Sequence, residues 1–141
     1  MPATPDSAAS TVAAVALSFL AFDFGLRRVG VATGNTVLGQ AHALSTVAAE
    51  GPARFERIAE LIDEWRPDAL VVGVPFHPDG VAHDNTHRAR RFARQLQGRF
   101  QLPVHEVDER YSTTQALAEG AADVDATSAA IILDQFLASL Q

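Results

Sequence analysis

The run from Leu17 to Phe24 is apolar at odd and even positions alike. A strand made from it keeps no solvent face, which is the pattern of a strand buried on both sides. It closes on Asp23-Phe24-Gly25, with a carboxylate at the carboxyl end of the strand and a glycine that lets a ligand approach the backbone. A short turn, Leu26-Arg27-Arg28, leads into Val29-Gly30-Val31-Ala32, near enough to pair with the first strand as a hairpin. Gly34-Asn35 reads as the next turn, and residues 37–47 as a third strand.

The periodicity changes after Gly51-Pro52, a breaker followed by a proline suited to the first helical position. Phe55, Ile58, Ala59, Ile62 and Trp65 recur at helical spacing and predict an amphipathic helix over about residues 52–66, stopped by Pro67. Ala69 to Val74 is another buried strand and ends in a loop through His77 and Gly80. A helix over about 84–98 places Ala89, Phe92, Ala93 and Leu96 inward and Arg88, Arg90, Arg91 and Arg94 on its other faces. A short strand, 103–107, ends at Asp108-Glu109-Arg110. A short helix from about Ser112 and a last one from Ala126 to Leu137 finish the chain.

The order β-β-β-α-β-α-β-α-α predicts an antiparallel meander of three strands, continued by parallel strands joined through right-handed crossovers. The expected architecture is α/β, a five-stranded mixed sheet flanked by helices, and it matches the element order of the RNase H-like fold. With 141 residues, the expectation is one such domain over 17–141, preceded by a loose Ala/Ser/Thr tail over residues 1–16. The apolar run from Val12 to Phe22 imitates a signal peptide. It has no basic segment before it and is too short to span a membrane. No cysteine is present, so a metal would be held by carboxylates, His or backbone oxygens. A disulfide-free chain without an export signal suits the cytoplasm.

The net charge of −6 is unusual for a protein that handles nucleic acid, but it is unevenly placed. Residues 1–104 hold ten Arg and ten acidic residues, whereas residues 105–141 hold seven acidic residues and only Arg110. The surplus is either a solvated acidic surface or a cluster of carboxylates for divalent cations. Three carboxylates carry the second reading. Asp23 ends the first strand, where an Asp also commonly caps a turn. Glu109 follows the last predicted strand, which is expected next to the first; it could equally pair with Arg110. Ligands gather at the carboxyl ends of strands in open α/β sheets. Asp125 starts the helical phase of Ala129, Ile132 and Phe136, where a carboxylate is costly unless it caps the helix or meets a cation. Asp123 offers an alternative cap. Hard cations take oxygen ligands, so Mg²⁺ or Mn²⁺ suits such a set. Two ions about 4 Å apart would serve the attacking water and the leaving oxygen of a phosphodiester hydrolysis.

Five blocks, in order and spanning roughly residues 18–140, resemble the YqgF/RuvX family. They are Leu20 to Ala32, Val71 to Pro75 with Asp79-Gly80, Thr86 to Ala93, Asp108-Glu109-Arg110-Tyr111-Ser112-Thr113, and Val124 to Leu133. The resemblance implies an RNase H-like fold related to the Holliday-junction resolvase RuvC. It also implies nuclease activity in maturing the 5′ end of pre-16S rRNA during ribosome biogenesis. The family's catalytic positions fall on Asp23, Glu109 and Asp125, with Asp108 also inside the motif. Two departures stand out. His77 occupies a position that is usually Asn, and the stretch Ala118 to Val124 is short and acidic where many relatives carry a longer basic loop.

Substrate contacts are expected from Arg27, Arg28, Arg88, Arg91 and Arg110, with phosphates of RNA or branched DNA as their partners; Arg90 and Arg94 belong to the same basic helix. Ribosomal precursor particles are the expected larger partner, and no membrane is. Two rivals remain: a non-catalytic RNA-binding protein of the same fold, and a junction-resolving DNase, which would need a two-fold dimer. The Asp23-Phe24-Gly25 hairpin also resembles the phosphate motif of actin-like ATPases, which need two such domains and a far longer chain.

Overall fold

The computed structural model describes residues 16–110 and 120–141. The expected tail and the expected helix from Ser112 lie outside the described residues, apart from Ala16. The elements are β1 (Ser18–Asp23), β2 (Val29–Asn35), β3 (Ala41–Val47), α1 (Gly51–Trp65), β4 (Ala69–Phe76), α2 (Asp84–Phe100), β5 (Val104–Arg110) and α3 (Val124–Ser139). The sheet order is β3-β2-β1-β4-β5; β1–β2 and β2–β3 are antiparallel, and β1–β4 and β4–β5 are parallel. This is the mixed five-stranded α/β architecture of the RNase H-like fold. Among the described residues, no helix is long and apolar enough to cross a membrane.

Strand alternation sorts the core into two layers. Leu20, Phe22, Val29, Val31, Leu70 and Val72 point to one face and pack with Phe55, Ile58 and Leu61 of α1 and Phe92, Ala93 and Leu96 of α2. Phe19, Ala21, Ala69 and Val71 point to the other and pack with Ile132, Leu133 and Leu137 of α3. The two-sided apolar character of β1 is thus explained: helices cover both of its faces. Burying a side chain such as Phe22 fully is worth about 1.5–3 kcal/mol, and Phe22 is inaccessible to solvent.

Four expectations need correction. The strand bearing Glu109 does not adjoin β1; β4 lies between them and β5 is an edge. Glu109 itself sits inside β5, not after it. Gly34-Asn35 is not a turn but the end of β2, paired with β1 at Phe19 and Ser18; the reversal comes at residues 36–38, and β3 begins at Ala41. The inner stripe of α1 uses Arg54, Phe55, Ile58 and Leu61, whereas Ala59 and Trp65 face solvent. Helical spacing tolerates a stripe rotated by one position, and Trp65 is released because the helix ends there at left-handed Arg66, followed by Pro67.

The helix starts are tied to the sheet by polar contacts. In α2, the Thr86 hydroxyl accepts from the His83 amide (2.7 Å) and His83 Nδ1 accepts from the Asn85 amide (3.0 Å), a reciprocal cap. The same Thr86 hydroxyl donates to the Pro75 carbonyl at the end of β4. In α3, Asp123 is the N-cap: its Oδ1 accepts from the Ala126 amide (3.0 Å) and from the Thr46 hydroxyl of β3 (2.7 Å). These bonds hold its carboxyl below the usual carboxylate range. Farther along α3, Asp134 accepts from the Ala41 amide at the start of β3 (2.8 Å).

Candidate metal centre and nucleic-acid interface

Asp23 is the last residue of β1 and lies between two glycines, Gly30 on β2 and Gly73 on β4. By strand alternation it shares the face of Phe19 and Ala21, beneath α3. Both glycines matter for how close α3 comes. A Cβ on Gly30 would collide with the backbone carbonyl of Asp125, and one on Gly73 would collide with the Ile132 side chain. A side chain at Gly30 would push the first turn of α3 off the sheet, whereas one at Gly73 would have to displace the Ile132 side chain. With neither present, Asp125, in the first turn of α3, is seated beside the strand position opposite Asp23.

Glu109 lies opposite Pro75 in the β4–β5 register and is 5% exposed. Val107, two residues earlier, packs against the α3-side core, so Glu109 projects to the same face as Asp23. Asp23, Glu109 and Asp125 line one pocket of about 160 Å³, together with Arg28, Asn85 and Ser128 among others. The three carboxylates selected in the sequence therefore border one cavity, although they come from three elements and one of them lies two strands away from Asp23.

The electrostatics of this pocket are unfavourable in the absence of a cation. The Asp23 carboxyl is pushed up to about 7, first by burial and then by the charges of Asp125 and Glu109. Arg28 Nε pairs with Asp125 Oδ2 at 3.2 Å at the pocket's edge, both side chains retaining access to solvent. Among the described residues, no three His, Asp or Glu side chains are gathered as a set that could hold an ion. The pocket thus supplies donors of the right chemistry, hard carboxylate oxygens with excess negative charge, while Asp125 is engaged with an arginine.

Of the arginines expected to contact substrate whose side chains are described, Arg28 alone borders this pocket. Arg88 and Arg91 instead line a second groove, of about 300 Å³, between α1 and α2. Arg27 is exposed and lines neither cavity. The backbone of Arg110 ends β5, and its side chain lies outside what is described. Arg90 pairs with Glu106 (3.5 Å) and lies over the Phe76 ring.

The sequence reading overlooked Asn85, Ser128 and Arg54. Ser128 and Ile132 follow Asp125 at helical intervals of three and seven, and that spacing was a usable signal. Asn85 sits two residues past the His83 cap and carried none. Arg54 is buried: its Nε donates to the Ala49 carbonyl (2.8 Å) and its Nη2 to the Leu26 carbonyl (2.9 Å), with the guanidinium over the Phe24 ring. Burial lowers its pKa, partly opposed by Glu50.

The family described as "RuvX: Holliday junction resolvase" matches residues 17–139. A protein of Albidiferax ferrireducens is 67% identical over 129 residues, covering 92% of this chain and 83% of its own; it is named "Putative pre-16S rRNA nuclease". A Polaromonas protein of the same name is 65% identical over 123 residues, covering 87% and 89%. Among solved structures, Thermus thermophilus RuvC in complex with a Holliday junction substrate superposes with a TM-score of 0.53 at 16% identity, covering 88% of this chain and 95% of that one. A likeness at that identity concerns the fold. The family match and the two relatives go further: the chain belongs to the RuvX family.

Proposed function

We propose that this protein is a metal-dependent nuclease that hydrolyses phosphodiester bonds in the 5′-end maturation of pre-16S rRNA. The observation that carries the reading is the pocket itself: three carboxylates from β1, β5 and α3 border one cavity, where burial first and then the charges of Asp125 and Glu109 push Asp23 up to about 7. Such a site gains most from a divalent cation. Asp23, Glu109 and Asp125 would hold Mg²⁺ or Mn²⁺, in a pair of ions. When bound, the metal supplies charge neutralisation at the phosphate and acidifies the attacking water.

The chain's own groups complete the chemistry. In the hydrolysis, a water oxygen bonds to phosphorus while the bond to the leaving sugar oxygen breaks. Arg28, at the pocket edge, is placed to exchange Asp125 for a phosphate oxygen, and a guanidinium matches that partner well. The Asn85 amide and Ser128 hydroxyl offer further polar contacts in the same wall. RNA is favoured as substrate by the names of the 65–67% identical relatives. The family's description favours branched DNA instead. The cytoplasm and ribosomal precursor particles follow from the RNA reading.

The test is a cleavage assay in Mg²⁺ or Mn²⁺ on 5′-extended precursor 16S rRNA, unrelated RNAs and a four-way DNA junction, with Asp23→Asn as control. Cleavage of the precursor that Asp23→Asn abolishes is the expected result. Preference for the junction would move the substrate to DNA, and activity surviving Asp23→Asn would overturn the mechanism.

A further inference from the structure

The second groove has a charge opposite to the first. Arg88, Arg91 and Gln95 line it from one stripe of α2, Arg54 stands on the α1 side, and Phe24 and Leu26 of the β1–β2 turn form the remaining wall. Residues three apart on a helix lie about 5–6 Å apart at Cβ, so Arg88 and Arg91 present adjacent cationic heads. Both are exposed, and among the described residues neither forms an ion pair; Arg88 Nη1 donates only to Asn85 Oδ1 (3.2 Å). Phe24 lines both cavities, and Asn85, on the wall of the carboxylate pocket, is the residue that Arg88 touches. The acidic pocket and the basic groove are therefore neighbours on either side of the end of β1.

A polyanionic substrate is repelled by three carboxylates and needs cationic purchase beside them. We propose that the groove between α1 and α2 binds a single strand of nucleic acid, with backbone phosphates on Arg88 and Arg91 and a base against Phe24 and Leu26. Aromatic surface beside arginines is the general means of holding single strands. Leu26, 54% exposed, presents its side chain to this groove. Arg54 holds the turn in place through the Leu26 carbonyl and adds positive charge to the groove. The inference rests on the nuclease reading only for what the bound strand is for, namely to hold the stretch flanking the scissile bond.

The experiment is fluorescence anisotropy with labelled single-stranded RNA and DNA decamers, and the DNA duplex of the same sequence, in EDTA, using the full chain. Arg88→Glu/Arg91→Glu is compared with Arg94→Glu, a reversal on the same helix outside the groove. The double variant should bind about 10-fold or more weakly, and the slope of log affinity against log salt should fall by about 1.4, near 0.7 per lost phosphate contact. Arg94→Glu should keep most of the affinity and slope. A 5-iodouracil decamer should crosslink to the peptide containing Phe24. Equal weakening by both reversals, crosslinking elsewhere, or equal affinity for duplex would overturn the proposal. Because binding is read without metal, a chain that binds in the groove yet cuts nothing would contradict the nuclease reading alone. Cleavage retained with affinity unchanged in the double variant would contradict the groove alone.

Discussion

The backbone of Asp125 rests directly on Gly30, whose β1 partner in the antiparallel register is Asp23. A single missing side chain thus brings the start of α3 to the end of β1. Gly30→Ala should force a backbone shift, because the atoms in the way belong to a main chain pinned by the Asp123 cap. Overpacking of this kind costs about 1–3 kcal/mol, and cleavage should fall more steeply than stability as Asp125 moves. Gly73→Ala meets only the end of the Ile132 side chain, which can rotate, and should be milder. Denaturant melts with parallel cleavage assays on the two variants check this ranking.

The raised pKa of Asp23 sets a pH dependence of stability. The folded carboxyl titrates near 7 and the unfolded one near 3.8, so between these values the native state holds the extra proton. Stability is therefore highest below about pH 4 in this contribution and is lost as pH rises to about 7. Asp23→Asn should remove the loss, stabilising the metal-free protein by roughly 1–3 kcal/mol at pH 8. Thermal melts of both proteins at pH 5 and pH 8, in EDTA, should show a gap that is clearly larger at the higher pH.

Arg28 competes for Asp125 with any cation that enters the pocket. Arg28→Ala should bind Mn²⁺ more tightly, by a few-fold, since an exposed ion pair is worth about 0–1 kcal/mol. The same variant should cleave more slowly, having lost a phosphate contact. Titration calorimetry with Mn²⁺ separates the two effects, and weaker metal binding in Arg28→Ala would count against the exchange.

Arg54 should be among the costliest arginines to remove. It is buried, and its loss orphans the Ala49 and Leu26 carbonyls that it satisfies. Arg54→Ala should destabilise by about 2–4 kcal/mol. Arg54→Lys should recover little, because one ammonium cannot reproduce the forked pair of bonds. Urea denaturation midpoints for the two variants provide the measurement.

Much of this arrangement could be read in the sequence, and the failures have physical causes. Asp23 stands out in the sequence because β1 is apolar on both faces and a carboxylate ends it. Asp125 is conspicuous because it begins the Ala129–Ile132 stripe. The neighbour expected for the strand of Glu109 was mistaken: chain order does not say that β4 inserts between β1 and β5. Arg54 was missed because a hydrophobic periodicity cannot reveal a cation buried by two backbone carbonyls. Gly30 and Gly73 carry no side-chain signal, and their importance lies in contacts with a helix about 95 and 59 residues away. The division of the arginines between two cavities likewise depends on the turn at residues 24–28, which helical spacing alone does not place.

In the proposed mechanism Asp23, Glu109 and Asp125 form one metal centre. Crystals soaked in Mn²⁺, with anomalous diffraction recorded near the manganese edge, test it most directly. Anomalous density among the three carboxylates, with the Asp125 side chain released from Arg28, is the expected result. At saturating Mn²⁺, an intact Arg28–Asp125 pair with no density in that pocket would contradict it.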